Sequence, residues 1–326
     1  MTNSGSARQP VLDAAVEAFL AGLAQSGVPP IHALGFQEAR HVLAAMQAGP
    51  VAAPSVRVED MTFPVGPTGR VDVRLFRPSD DNCPQPAVIY LHGGGWVMGG
   101  KHTHDRLLRE LAVGTGATFV FVDYALAPEA HYPVQNEQAY GVLTYIRDNA
   151  AVLGIDGARI AVAGDCAGGN IAAALTLLAK RRRGPEIAFQ LLFYPLLDDG
   201  GGSLLHESFG DGPWLTRQAK AAYLNAVMPD PASRTEVTAF PLKASLVQLN
   251  DLPQALVLVA EHDIARDEGE AYVRKLVRAG VTATCTRCNN TIHDFVVLNA
   301  LADVPVTRYA IAQATAALSD ALYRAH

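Results

Sequence analysis

The chain has 326 residues, of which 49% are hydrophobic and 18% charged, with a net charge of −6. That is apolar material for one large core plus a smaller accessory element, and the acidic balance argues against a nucleic-acid or anionic-membrane partner. Four scattered cysteines (83, 166, 285, 288) fit free thiols in a reducing, cytoplasmic setting better than a disulfide framework.

The N-terminus, MTNSGSARQP, has no charged start followed by an apolar core, so a secretory signal is not expected. Residues 1–50 read as helical. Val11 to Leu23 and Phe36 to Met46 repeat apolar positions at helical spacing, and Val28-Pro29-Pro30 separates them. After Gly49-Pro50 the period changes. Val71 to Phe76 alternates like a half-exposed strand, and Ala87 to Leu91 is a short apolar run of the buried-strand kind. Helical and strand patterns then alternate through His104–Ala112, Thr118–Asp123, Val134–Leu153, Arg159–Ala163, Asn170–Lys180 and Ala188–Tyr194. This alternation predicts an α/β fold with a mostly parallel central sheet flanked by helices. The basic run Lys180-Arg181-Arg182-Arg183 closes a helix, where cations offset the dipole.

Residues 198–250 break the rhythm. They are rich in Gly, Pro and small polar residues, with one helical piece near Leu215 to Val227, and read as an insertion. The alternation returns with Ala255–Ala260, Glu268–Ala279, Thr282–Thr286 and a terminal helix from about Val306 to Tyr323. The longest apolar runs are strand-length or interrupted, so no membrane span is expected.

The motifs fall at strand ends. Gly164-Asp165-Cys166-Ala167-Gly168-Gly169 follows an apolar strand and opens a helix. It is a nucleophile elbow, G-x-S-x-G, with sulfur where the hydroxyl is expected. A helix N-terminus and a nearby histidine should lower the Cys166 thiol pKa, while Asp165 pulls the other way. Asp263 stands just past the strand Ala255–Ala260, where functional groups of an open sheet gather. Asp267 and Glu268 are its rivals, although both open a helix, where carboxylates are favoured anyway. His293 lies in a loop after the last strand and completes the order nucleophile, acid, histidine expected of an α/β-hydrolase. His92-Gly93-Gly94-Gly95-Trp96 follows a strand. Its glycines let backbone N–H groups approach a ligand closely, and with the Ala167 N–H they can hold an oxyanion. Cys285-x-x-Cys288 has metal-like spacing, but no second Cys or His pair follows, so no metal and no cofactor is expected.

With these motifs the chain resembles the hormone-sensitive lipase-like esterases, a branch of the α/β-hydrolases, over about residues 55–320. The resemblance rests on His92–Trp96, on Val122-Asp123-Tyr124-Ala125-Leu126-Ala127-Pro128-Glu129, on the elbow, on Asp263-Ile264-Ala265-Arg266-Asp267-Glu268-Gly269 and on Ile292-His293-Asp294-Phe295. It implies Asp263 as catalytic acid, His293 as base, and Gly94, Gly95 and Ala167 as oxyanion donors. It also implies a helical cap from residues 1–50 and 198–250 over an α/β-hydrolase domain of 51–197 and 251–326. A soluble enzyme for short acyl esters follows, often dimeric through an edge strand, here near Val281 to Arg287. Two positions depart from the pattern. Tyr124 is usually followed by Arg and here by Ala125, and Cys166 replaces the family's serine.

These residues predict a carboxylesterase working through Cys166, His293 and Asp263 with a thioester acyl-enzyme. The alternatives are a lactone or thioester hydrolase, an acyltransferase, or a ligand-binding form weakened by a serine-to-cysteine replacement. The partner is a small ester held in an apolar pocket, with Trp96, Trp214, Phe209, Phe295 and Tyr194 as candidates for its walls.

Overall fold

The computed structural model describes residues 11–79, 83–200 and 210–324. Among the described residues eight strands form one sheet: β1 (Arg57–Phe63), β2 (Val71–Arg77), β3 (Gln85–Leu91), β4 (Thr118–Asp123), β5 (Ile155–Asp165), β6 (Phe189–Phe193), β7 (Gln254–His262) and β8 (Ala283–Ile292). Their spatial order is β1-β2-β4-β3-β5-β6-β7-β8. β2 pairs antiparallel with both β1 and β4, and every other pairing is parallel. This is the α/β-hydrolase fold.

The central strands explain the arrangement. Every residue of β6, and every residue of β3 except Gln85, is buried, as expected when helices cover both faces of a parallel sheet. One face carries α3 (Asp105–Thr115) and the terminal α9 (Pro305–Tyr323), which pack on each other. α4 (Val134–Asp148) and α5 (Cys166–Arg182) pack on each other and on β5, and α8 (Arg266–Arg278) packs on β7 and β8. α5 is buried from Cys166 through Ala179, so it is a core helix with no polar face over that length. α8 is the opposite case, with Tyr272, Val273 and Leu276 buried and Arg274 and Arg278 outward.

The strand patterns of the sequence match β2 to β8 with end shifts of a few residues. β1 is an addition. Its residues are nearly all exposed or half-buried, so no apolar alternation marks it, and it is held by antiparallel pairing to β2. Among the described residues no helix is long and apolar enough to cross a membrane.

Two further segments lie over the carboxyl ends of the strands. The first holds α1 (Ala14–Gln25), a 3₁₀ turn at Ile31–Ala33 and α2 (Phe36–Gln47). It is fastened by Arg40, which donates to the carbonyls of Val97 and Ala127 and pairs with Glu129, and by Gln47, which donates to those of Thr103 and Val297. The second includes α6 (Arg217–Val227) and the short α7 (Leu246–Leu249). Thr216 caps α6 by accepting from the Ala219 N–H, and Ser245 and Gln248 cap α7 reciprocally.

Candidate active site

β5 ends at Asp165 and α5 begins at Cys166, with no residue between them. The reversal falls on Cys166 itself, whose φ is +52°, a region that side-chain-bearing residues avoid. Glycines make the turn possible by close approach. A Cβ on Gly164 would lie 2.5 Å from the Gly168 backbone, and one on Gly168 only 2.0 Å from the Leu91 carbonyl oxygen. The elbow therefore presses against the end of β3, and the Cys166 side chain faces a cavity.

Strand register brings the next two groups together. β7 and β8 run parallel with His262 opposite Ile292, so the residues that follow, Asp263 and His293, emerge side by side. His293 Nδ1 lies 2.7 Å from Asp263 Oδ2, and Asp263 Oδ1 accepts from the Ala265 N–H at 2.9 Å. Both side chains are almost fully buried. A carboxylate only accepts, so it holds the imidazole proton on Nδ1 and leaves Nε2 as the basic nitrogen. The rivals are engaged elsewhere: Asp267 with Arg266, and Glu268 with Lys220.

Cys166, His293 and Asp294 each place one ligand atom within 4.8 Å of the others. Asp294 was not singled out by the sequence. It adjoins His293, has φ +65°, and its Oδ1 lies 3.5 Å from His293 Nε2 while its Oδ2 accepts from Trp214 Nε1 at 2.8 Å. Tyr194 packs its ring 4.7 Å from that of His293.

The electrostatics differ from the sequence expectation at the sulfur. Burial pushes the Cys166 thiol above its ordinary value, and the pull of His293 does not overcome it. The expected lowering fails because the elbow is far more enclosed than an open helix terminus. For His293, burial opposes the charged form, but Asp263 and Asp294 outweigh it and hold the imidazole well above the ordinary histidine range.

The glycine loop after β3 stands against the elbow. A Cβ on Gly93 would come within 3.1 Å of the Cys166 Cβ. Gly94 (φ +105°) and Gly95 (φ +61°) line the same cavity. Their missing side chains are required: a Cβ at Gly94 would lie 2.3 Å from the Met98 carbonyl oxygen, and one at Gly95 would lie 2.4 Å from the Tyr223 ring. Asp165 ties loop to elbow, accepting on Oδ1 from the Gly93 N–H at 3.0 Å and the Tyr90 hydroxyl at 2.8 Å. Burial raises the Asp165 carboxyl pKa, but His104 and the Tyr90 hydroxyl outweigh this and hold it below its ordinary value. The Tyr124 hydroxyl donates to the His92 carbonyl at 2.7 Å, and the following Ala125 gives its N–H to Gln138. Ala167 is fully buried in the first turn of α5, where a helix leaves N–H groups without internal acceptors.

The cavity measures about 590 Å³ and is mostly apolar. Trp214 lines it, as do Leu20, Leu23, Ile31 and Leu43 from the N-terminal segment, Met98, and Tyr223 from α6. Three aromatic candidates lie elsewhere. Trp96 is 1% exposed and turned into the core at a φ of +61°, Tyr194 is fully buried against the His293 ring, and Phe295 is fully buried behind Tyr194. Phe209 lies outside the described residues. The N-terminal leucines carry no separate sequence signal as pocket walls, because an amphipathic helix reads as core-facing whatever it covers.

Chemically, this arrangement offers a thiol, a basic nitrogen backed by a carboxylate, and a glycine backbone at one end of an apolar cavity. A family model described as alpha/beta hydrolase fold matches residues 88–297. The chain is 38% identical to carboxylesterase NlhH of Mycobacterium tuberculosis, covering 89% of this chain and 90% of that one. It is 33% identical to ethyl acetate hydrolase of Pseudomonas putida, over 88% and 91%. The crystal structure of a thermostable esterase from Pseudomonas putida ECU1011 superposes with a TM-score of 0.94 at 40% identity, covering 99% of this chain and all of that one. An eight-stranded sheet of this order, matched along most of its length by hydrolase relatives, places the chain in the α/β-hydrolase family.

Proposed function

We propose that this protein is a carboxylesterase of the hormone-sensitive lipase-like branch, hydrolysing short to medium acyl esters through Cys166, His293 and Asp263. The observation that carries the reading is the Asp263–His293 hydrogen bond at 2.7 Å, with the imidazole beside the Cys166 sulfur in an apolar cavity. The relatives are named as esterases and carboxylesterases, which supports the same reaction class.

His293 Nε2 takes the thiol proton as sulfur attacks the acyl carbon. The carbonyl oxygen gains the negative charge, and the Gly94, Gly95 and Ala167 N–H groups stabilise it. Collapse breaks the bond to the leaving alkoxide, which receives the proton from His293 and departs as the alcohol. The acyl group remains as a thioester. Water, deprotonated by His293, then attacks the thioester, and the carboxylic acid leaves with the thiol restored. The raised Cys166 pKa fits a thiol deprotonated during attack rather than a standing thiolate.

Residues 1–50 and 198–250 act as a cap in this reading, since both segments contribute to the cavity wall. The free thiols fit a cytoplasmic setting. β8 ends the sheet with one strand partner, so its open edge suits pairing with a second copy, and a monomer mass in sedimentation would remove the dimer.

The main test measures p-nitrophenyl acetate, butyrate and octanoate hydrolysis before and after alkylation, with modification of Cys166 read by peptide mass. Activity should fall in step with alkylation of Cys166. Full activity on a completely alkylated Cys166 would end the proposal.

A further inference from the structure

The replacement of a hydroxyl by a thiol changes more than the nucleophile. Oxygen of a neutral serine is a poor metal ligand, whereas a cysteine sulfur, once deprotonated, is among the best for zinc-like cations. Here the sulfur shares its place with an imidazole and a carboxylate. The mutual spacing of these three ligand atoms is at most 4.8 Å. In a tetrahedral zinc site, bonds of about 2.0–2.3 Å put neighbouring ligand atoms about 3.4–3.6 Å apart. The His293 Nε2 to Asp294 Oδ1 distance is already 3.5 Å. The other two edges are at most 4.8 Å, so reaching that spacing shortens each by no more than about 1.3 Å.

The imidazole is also aimed into this cluster. His293 is 1% exposed, and among the described residues its Nε2 makes no hydrogen bond of normal geometry, the groups it faces being the Cys166 thiol and Asp294 Oδ1 at 3.5 Å. Buried polar atoms in such a state are rare and costly. In the neutral imidazole this nitrogen carries the lone pair, because Asp263 holds the remaining proton on Nδ1.

The surroundings are those of a metal centre as well as of a hydrolase. Metal-bound histidines usually give their other ring N–H to a carboxylate, which fixes the tautomer. Asp263 does this for His293. Asp294 has the matching arrangement, with Trp214 Nε1 donating to Oδ2 and Oδ1 turned toward His293. The site opens on the cavity, leaving room for a water in the fourth position.

We infer that Cys166 Sγ, His293 Nε2 and Asp294 Oδ1 form a binding site for one thiophilic divalent cation of the zinc type, occupying the reaction centre. Binding replaces the thiol proton and any proton on Nε2, both of which pass to solvent, and takes up the lone pair needed for base catalysis. Zinc and ester therefore compete.

The inference shares the residues of the proposed esterase but not its chemistry, and the test needs no turnover. Full-length protein is titrated with Zn²⁺ against a chromophoric chelator, and separately with Co²⁺ while thiolate-to-cobalt charge-transfer absorption is recorded. One equivalent should bind, the charge-transfer band should appear, and saturating Zn²⁺ should protect Cys166 from iodoacetamide. Cys166→Ser should abolish the band and weaken Zn²⁺ binding at least tenfold. Asp294→Asn, which keeps the side-chain shape, should also weaken binding at least tenfold. Asp263→Asn, which alters only the support of His293, should cost about 10–100-fold. Thermal melts establish that each variant is folded. Equal Zn²⁺ affinity in the wild type and Cys166→Ser, or unchanged alkylation of Cys166 at saturating Zn²⁺, overturns the inference. A protein with the cobalt band but no ester hydrolysis at any pH, metal-free, keeps this site and loses the esterase; the reverse result loses only the site.

Discussion

Replacing Lys220 by methionine should destabilise the protein by about 3–5 kcal/mol, the range for removing one partner of a buried ion pair. Lys220 lies on α6 and donates to Glu268 Oε1 in the first turn of α8, and both side chains are at most 5% exposed. The second oxygen of Glu268 accepts from the Leu197 and Asp198 N–H groups at 2.8 and 2.9 Å. The variant keeps those amides and loses the ammonium, while methionine fills the stem volume. With an unfolding entropy of about 2.1 cal/mol/K per residue over 326 residues, the cost corresponds to a Tm drop of about 4–7 °C. The pH dependence gives a further check. Burial already raises the Glu268 carboxyl pKa despite Lys220. A carboxyl raised in the folded state favours folding below its unfolded value, about 4.3, and loses that advantage as pH rises through the folded value. Losing Lys220 raises it further, so the deficit should be largest near pH 7 and shrink toward pH 5. Scanning calorimetry of the wild type, Lys220→Met and Lys220→Met/Glu268→Gln at both pH values tests this. A single-variant shift below about 1 °C at pH 7, or a double variant no more stable than the single, would refute the reasoning.

Two other outcomes concern catalysis. Because the carboxylates near His293 hold its pKa up, kcat/KM for an acetate ester should rise with pH along a limb above the ordinary histidine value of about 6.5, and Asp294→Asn should move that limb down; an unmoved limb would detach Asp294 from the base. Gly94→Ala places a Cβ 2.3 Å from the Met98 carbonyl oxygen at a φ of +105°. It should lower kcat by about 10²–10³ with a smaller change in KM, and a loss under tenfold would remove Gly94 from the oxyanion role.

Much of this architecture was legible in the sequence for a simple reason. Parallel strands buried on both faces appear as apolar runs, and glycine-marked turns punctuate them, so β3 to β7 stood out. β1 did not, because its exposed residues carry no such pattern and its place depends on β2. The side chains of Cys166, Asp263 and His293 come together as their strand-end positions suggested. The pocket aromatics show the weakness of reading by proximity in sequence: Trp96 directly follows the glycine loop, yet its backbone turns it into the core. The thiol's acidity differs from what the elbow motif suggests because burial is a property of the packed molecule, and no local motif announces it. Asp294 carries no signal of its own in the sequence, being simply the neighbour of a histidine, although its carboxylate lies within 4.8 Å of the Cys166 sulfur and the His293 ring.

The pairing of β7 with β8 carries a consequence for what looks like an expendable rim. β8 is largely solvent-facing over its first residues, and such strands are usually tolerant of sliding. Here the ladder is broken between Ala260 and His262, where β8 carries two extra residues, and the last rung beyond the break sets Ile292 against His262; the imidazole leaves one step later beside the carboxylate. A slip of a single residue would turn His293 toward the opposite face of the sheet. The polar border of the sheet thus works as a ruler for the chemistry, and an insertion within Ala283–Ile292 would be felt at the sulfur before it was felt in the melting curve.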